Sequence, residues 1–266
     1  MRSDFFTGPF LSGQVAIITG AGGGIGGAVA EALGQAGATV YAFDRDGEAA
    51  ERTAASVRQL GHKASALRCD VTQTAEIEQA VATVVAAHGR IDVLVNNAGV
   101  STMQHAWAIT EQEWDHNFDV NVKGVFLCTR ATLPQMISQH DGRIINTASV
   151  AGMRGVPLLA HYAASKWAVI GYTKSLAIEL APSGITVNAV CPGYVTTPMQ
   201  EREIGWEAEL RGMSEEEVRA EYVRLTPLGR LESPRDVAST ILFLTSPLAS
   251  YITGQAVCVS GGADLL

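Results

Sequence analysis

The chain has 266 residues, and 19 Lys+Arg against 27 Asp+Glu leave a formal charge of −8; 47% of residues are apolar and 17% charged. That balance excludes a disordered chain, and the acidity argues against a nucleic-acid partner. No apolar run approaches the ~18 residues of a membrane span, so no membrane partner is expected, and Met1–Ser12 lacks the pattern of a secretion signal.

The first strand is predicted at Val15–Thr19, and a glycine cluster follows it directly. The 27 glycines exceed the ~7% background. Thr19-Gly20-Ala21-Gly22-Gly23-Gly24-Ile25-Gly26 opens a helix predicted at 24–35. Glycine serves two ends in such a turn: a sharp reversal, and close approach of backbone amides to a pyrophosphate. The second strand, Thr39–Asp44, ends on a carboxylate suited to two ribose hydroxyls. Asp44 would repel a 2′-phosphate and so favours NAD over NADP, whereas Arg45 would hold that phosphate. A helix at 46–60 leads to the third strand, Ala64–Asp70, and Asp70 is placed to accept from an adenine amino group. After a helix at 74–88, the fourth strand, Ile91–Asn96, ends in Asn96-Asn97-Ala98-Gly99. Asn96 reads either as a crevice residue or as an amide tying strands together.

A long helix is predicted at 112–138 and a fifth strand at Arg143–Ala148, with Ser149 just beyond it. A helix at 162–181 carries Tyr162 and Lys166 at i and i+4, on one face. The sixth strand is Thr186–Cys191. The stretch 197–225 then breaks the rhythm. It is long, charged and strandless, and Ser214 with Glu217 reads as a capping box opening a short helix, as in a lid. A helix at 234–246 and a strand at Ala256–Ser260 close the chain. Near-continuous apolar strands alternating with helices imply one parallel sheet covered on both faces. One α/β domain is expected over 1–266: a doubly wound Rossmann fold with seven strands and a helical lid. Cys69, Cys128, Cys191 and Cys258 are scattered and show no metal-ligand spacing, so no metal is expected and a cytoplasmic location is.

Taken together, Thr19-Gly20-x-x-x-Gly24-x-Gly26, Asp70, Asn96-Asn97-Ala98-Gly99, Asn121, Ser149, Tyr162-x-x-x-Lys166, Pro192-Gly193 and Thr197 resemble the short-chain dehydrogenase/reductase family. The likeness runs from about Ser12 to Gly262. It implies that Tyr162 is the acid/base, that Lys166 binds the nicotinamide ribose, and that Ser149 stabilises the substrate oxygen. It implies that Asn121, whose other reading is a helix-kink amide, holds a water in a proton relay. The cofactor contacts it implies are Gly20, Gly24, Ile25, Gly26, Asp44, Arg45, Asp70, Val71, Asn97, Ala98, Gly99, Tyr162, Lys166, Pro192, Gly193, Val195 and Thr197. A homotetramer is also implied.

Substrate contacts are expected from Ser149, Ala151, Met153, Leu159, Tyr162, Tyr194, Met199 and Trp206, with Val100 nearby. These are mostly apolar, and Arg154 is the one neighbouring cation, so the small-molecule substrate is expected to be a neutral secondary alcohol, diol or polyol with its ketone. The 197–199 and 226–230 segments look like those of sugar-alcohol and acetoin/butanediol dehydrogenases. The alternatives are an NADPH-dependent 3-oxoacyl thioester reductase and a non-catalytic dinucleotide sensor. His161 reads as a packed surface residue or as a substrate contact.

Overall fold

The computed structural model describes residues 9–265, so most of Met1–Ser12 lies outside the described residues. Seven parallel strands form one sheet: β1 (Val15–Thr19), β2 (Thr39–Asp44), β3 (Ala64–Arg68), β4 (Val93–Asn96), β5 (Gly142–Thr147), β6 (Ile185–Pro192) and β7 (Ala256–Val259). Their spatial order is β3-β2-β1-β4-β5-β6-β7. The helices are α1 (Gly24–Gln35), α2 (Gly47–Gln59), α3 (Thr74–His88), α4 (Glu111–Phe118), α5 (Gly124–Gln139), α6 (Ala160–Leu180), α7 (Pro198–Arg211), α8 (Glu215–Arg224) and α9 (Pro234–Thr245).

The period-2 geometry of a strand sends neighbouring side chains to opposite faces, so each strand needs apolar residues on both. Ala16 and Ile18 join Val29, Leu33, Val237 and Ile241 of α1 and α9 in one core. Ile17 between them joins Ile77, Val84, Leu127 and Leu176 of α3, α5 and α6 in the other. The result is a three-layer, doubly wound fold of one domain, as the sequence pattern implies.

The differences from expectation are local. The stretch predicted as one helix at 112–138 is α4 and α5 joined by a π-helical turn, Asp119–Lys123. A π turn inserts an extra residue into the helical ladder. Here it carries Asn121, whose amide clamps the backbone of Val100: Val100 N–H donates to Oδ1 at 2.8 Å and Nδ2 donates to Val100 O at 2.9 Å. The 197–225 stretch holds two helices where one is predicted. Thr197 caps α7, accepting from Gln200 N–H at 3.2 Å, with Pro198 in the first turn and a left-handed Gly212 at the end. Ser214 and Glu217 form the expected capping box of α8. Ile204 and Ala208 of α7 pack on Val218 and Tyr222 of α8 in a small core of their own.

Candidate active site

Strand order reverses between β1 and β4, because β1 continues to β2 on one side while β4 continues to β5 on the other. Loops leaving the two strands diverge there and open a crevice at their carboxyl ends. A cavity of about 1270 Å³ fills it and runs from Asp44 to α7. That exceeds the ~300–1000 Å³ of an ordinary ligand pocket and leaves room for a dinucleotide beside a small substrate.

The glycine turn lines one end. Gly20, Gly22, Gly23, Gly24 and Ile25 all face the cavity. Among the described residues no side chain caps the start of α1, so its first amides are left for an anion. A Cβ on Gly20 would lie 2.7 Å from Ala98 Cα, so only glycine lets the turn meet the end of β4. Asn97 secures that junction by donating to the carbonyls of Thr19 and Gly20, both at 3.1 Å. Gly26 departs from its expected role. It does not line the cavity, and a Cβ there would meet Gly20 O at 2.2 Å. It is a packing glycine that seats α1 under the turn.

Asp44 closes this end. Its Oδ2 accepts from Gly22 N–H at 2.8 Å, and Arg45 lies beside it on the wall. Asp70 and Val71 line the next stretch, with Asp70 Oδ1 already accepting from Thr72 N–H and its hydroxyl. Asn96 proves to be the strand-tying amide: its Nδ2 donates to Thr129 Oγ1 at 3.0 Å and to Asn146 Oδ1 at 2.9 Å.

The catalytic candidates meet at the floor. Ser149 and Tyr162 are within hydrogen-bonding reach of each other, and Ser149 Oγ accepts from Ala151 N–H at 3.1 Å. Lys166, 4% exposed, donates to Thr147 O at 2.9 Å, with its ammonium 5.6 Å from the centre of the Tyr162 ring. Burial pulls Lys166 down to about 8. Burial, then the nearby Glu203 carboxylate, push the Tyr162 phenol well above its ordinary value, while Ser149 opposes them. The chain by itself therefore favours a protonated phenol, a proton donor. Reaching a phenolate near neutrality takes about 4 kcal/mol against an ordinary phenol, and positive charge at the cleft must supply it. Asn121 is fully buried behind this floor and does not line the cavity. Both amide protons are engaged, one on Val100 O and one on Ser165 Oγ at 3.0 Å. Its side chain positions the wall.

Pro192, Gly193, Val195 and Thr197 line the far side, as do Ala98 and Gly99 opposite them. Of the expected substrate contacts, Ser149, Ala151, Leu159, Tyr162, Tyr194 and Met199 face the cavity. Met153 and Trp206 do not. Met153 turns to Cys258, with sulfur atoms 3.1 Å apart. Trp206 belongs to the row Pro198–Arg202–Trp206 of α7, which leaves the cavity after Arg202. The neighbouring row, Met199–Glu203–Glu207–Arg211, stays on it. His161 is neither surface nor substrate contact: it is fully buried, with Nε2 2.6 Å from Thr102 Oγ1.

The sequence reading named Met199 but missed the charged residues Arg202, Glu203, Glu207 and Arg211 of α7, although spacing by four from Met199 after a Thr-Pro helix start signals the last three. They also revise the charge of the site. Arg202 and Arg211 join Arg154 on the wall, and Glu203, Glu207 and Glu221 face them. Arg211 bridges Glu207 at 2.5 Å and Glu221 at 2.8 Å. Tyr222 donates to Glu207 and stacks on Tyr194, ring centres 4.1 Å apart. Burial raises Glu203 above the usual carboxylate range, with Ser101 opposing.

Known proteins resemble this chain in sequence and fold. Residues 14–208 match the family model described as short chain dehydrogenase. The chain is 42% identical to the short-chain reductase protein NovJ of Streptomyces niveus, over 94% of this chain and 93% of that one. It is 42% identical to the 3-oxoacyl-[acyl-carrier-protein] reductase FabG of Thermotoga maritima, over 95% and 98%. The fold superposes on a solved levodione reductase with a TM-score of 0.91 at 32% identity, covering 96% of this chain and 98% of that one. With the glycine turn, the crevice and the serine–tyrosine–lysine floor in place, the chain belongs to the short-chain dehydrogenase/reductase family of nicotinamide-dependent oxidoreductases.

Proposed function

We propose that this protein is an NAD-dependent dehydrogenase interconverting a neutral secondary alcohol, a diol or polyol, with its ketone. The observation that carries the cofactor preference is Asp44. Its carboxylate lies against the glycine turn, bonded to Gly22 N–H, where it accepts ribose hydroxyls and repels a 2′-phosphate. The residues along the cavity fit a nicotinamide dinucleotide: uncapped amides at α1, a carboxylate at the adenosine end and a buried ammonium at the other. When bound, the nicotinamide supplies the hydride chemistry. Tyr162 gives or takes the proton at its phenolic oxygen. Ser149 donates to the substrate oxygen as negative charge develops there. Lys166, held by Thr147 O, keeps positive charge beneath the phenol.

The substrate class rests on the lid. Three carboxylates answer three guanidiniums on the wall, so the pocket is polar without a net cationic pull. Hydroxyl groups suit such a wall, since carboxylates accept and guanidiniums donate. The FabG relative supports a second reading, reduction of a 3-oxoacyl thioester with NADPH. Steady-state assays of diols, polyols, hydroxyacids and a 3-oxoacyl thioester with each cofactor decide between them. We expect kcat/KM with NAD to exceed that with NADP by about tenfold or more, and Asp44→Ser to remove about 1.4 kcal/mol of that preference. Faster thioester reduction with NADPH than any alcohol turnover would overturn the first reading.

We place the protein in the cytoplasm as a homotetramer. Among the described residues no helix is long and apolar enough to cross a membrane. Trp167 and Ile178 on α6 are 52% and 80% exposed, and Phe126 on α5 is also exposed, which supports a subunit interface there.

A further inference from the structure

Glu232, between α8 and α9, plays no part in the site as derived so far. Yet its contacts converge on the segment that leaves β6. Glu232 and Val195 form an isolated parallel bridge. Glu232 N–H donates to Tyr194 O at 2.9 Å, and Thr196 N–H donates to Glu232 O at 2.8 Å. The Thr196 hydroxyl donates to the same carbonyl at 3.2 Å. The side chain then turns back, and its Oε2 accepts from Gly193 N–H at 2.9 Å, an amide shared with Val259 O at 3.1 Å. One residue thus holds Gly193, Tyr194 and Thr196, and the 193–197 segment lines the cavity along most of its length.

The carboxyl group is an unusual hook. Glu232 is 7% exposed, and its second oxygen, Oε1, is buried with no hydrogen-bond partner among the described residues. The charged groups that act on it are Asp236, at the start of α9, and Arg230, on its own loop. Arg230 is engaged with both oxygens of Asp236, at 2.7 and 2.9 Å. An ionised Glu232 would have one shared amide for company, which is poor compensation for a buried charge. A neutral acid keeps the bond to Gly193 N–H without that penalty.

We propose that Glu232 is a positioning residue for the cofactor, a buried neutral acid that holds the 193–197 wall in shape and releases it on ionisation. This rests on the reading of the cavity as a nicotinamide site, but not on the choice of NAD over NADP or on the substrate. Burial pushes its carboxyl up to about 8. The sign follows from linkage. Between the ordinary carboxylate value of 4.5 and about 8 the folded chain holds a proton that the unfolded chain has lost. Glu232 therefore contributes less to folding as pH rises through that window, and the wall loosens at its upper end.

The test measures binding without substrate. NADH and NADPH are titrated by fluorescence from pH 6 to 9.5 on the full chain, with hydrogen exchange of the 193–197 peptide alongside. Glu232→Gln keeps the shape and the carbonyl acceptor but cannot ionise. We expect wild-type Kd for the better cofactor to weaken about fivefold between pH 7 and 9.5, with faster exchange at 193–197. Glu232→Gln should match wild type at pH 7 and stay flat, which separates Glu232 from Lys166 and Tyr162, since both remain in the variant. Glu232→Ala should bind about tenfold more weakly at every pH. A wild-type profile that is flat, or a Gln profile as steep as wild type, would overturn the proposal. Should the Ala variant not fold, the comparison of wild type with Gln decides alone. Failure of both cofactors to bind would instead remove the reading on which the proposal stands.

Discussion

The two ends of the cavity are built by different physics. At the glycine turn the chain is held by backbone exclusion. A single added Cβ at Gly20 or Gly26 meets main-chain atoms that cannot move aside. At the other end, α7 and α8 share a core of Ile204, Ala208, Val218 and Tyr222, and the ion pairs Arg211–Glu221 and Arg219–Glu201 tie them together. Sterics admit few solutions, so the first end suits a ligand that never changes. Charged side chains on a helix can be exchanged with little harm to the fold, so the second end suits a ligand that differs between relatives.

This contrast can be broken at three places. The largest effect should fall where the ends meet. Tyr162→Phe removes the proposed proton carrier and should lower kcat by about a thousandfold, while NADH affinity stays within about threefold, as read by turnover and fluorescence titration. Alcohol turnover surviving within tenfold would refute the assigned role. Gly26→Ala comes next. Its Cβ would press on Gly20 O, so we expect a loss of about 3 kcal/mol in denaturant unfolding and weaker binding of both cofactors alike. The smallest effect belongs to the lid. Arg211→Gln should change unfolding by about 1 kcal/mol or less, yet raise substrate KM and blunt its dependence on salt. A large fall in stability from Arg211→Gln, or none from Gly26→Ala, would reverse the distinction.

How much of this was legible in the sequence follows the same divide. The seven strands and the glycine turn were readable, because backbone demands restrict residue type strongly; Asp44, Ser149, Tyr162 and Lys166 came from strand-end position and family resemblance, and the structure brings all four to one cavity. Gly26 was placed at the pyrophosphate when it packs under the turn. A glycine required for space and one required for a ligand look alike until the neighbouring atoms are known. Trp206 and Met153 were expected in the cavity because their segments flank the nicotinamide end, and neither lines it. Which row of α7 faces inward depends on how α8 seats against it, and that is a long-range fact. Arg202 and Arg211 were overlooked for the same reason, and with them the balanced charge of the wall. Glu232 carried no local signal, since its partners lie on the segment after β6.

The reversal of strand order also sets a timetable for making the protein. Ile17 pairs with Tyr41 on one side but with Leu94 on the other. During synthesis β1 finds its first neighbour early and then waits for β4 to emerge. Until then one side of the apolar strand β1 lacks its partner, and open apolar edges are prone to pair with the wrong one. Parallel pairings this far apart in sequence also fold slowly. The break in strand order that makes room for a dinucleotide thus exposes the newborn chain to mispairing, and a bacterial overproducer of it is expected to gain soluble yield from slower translation or a lower growth temperature.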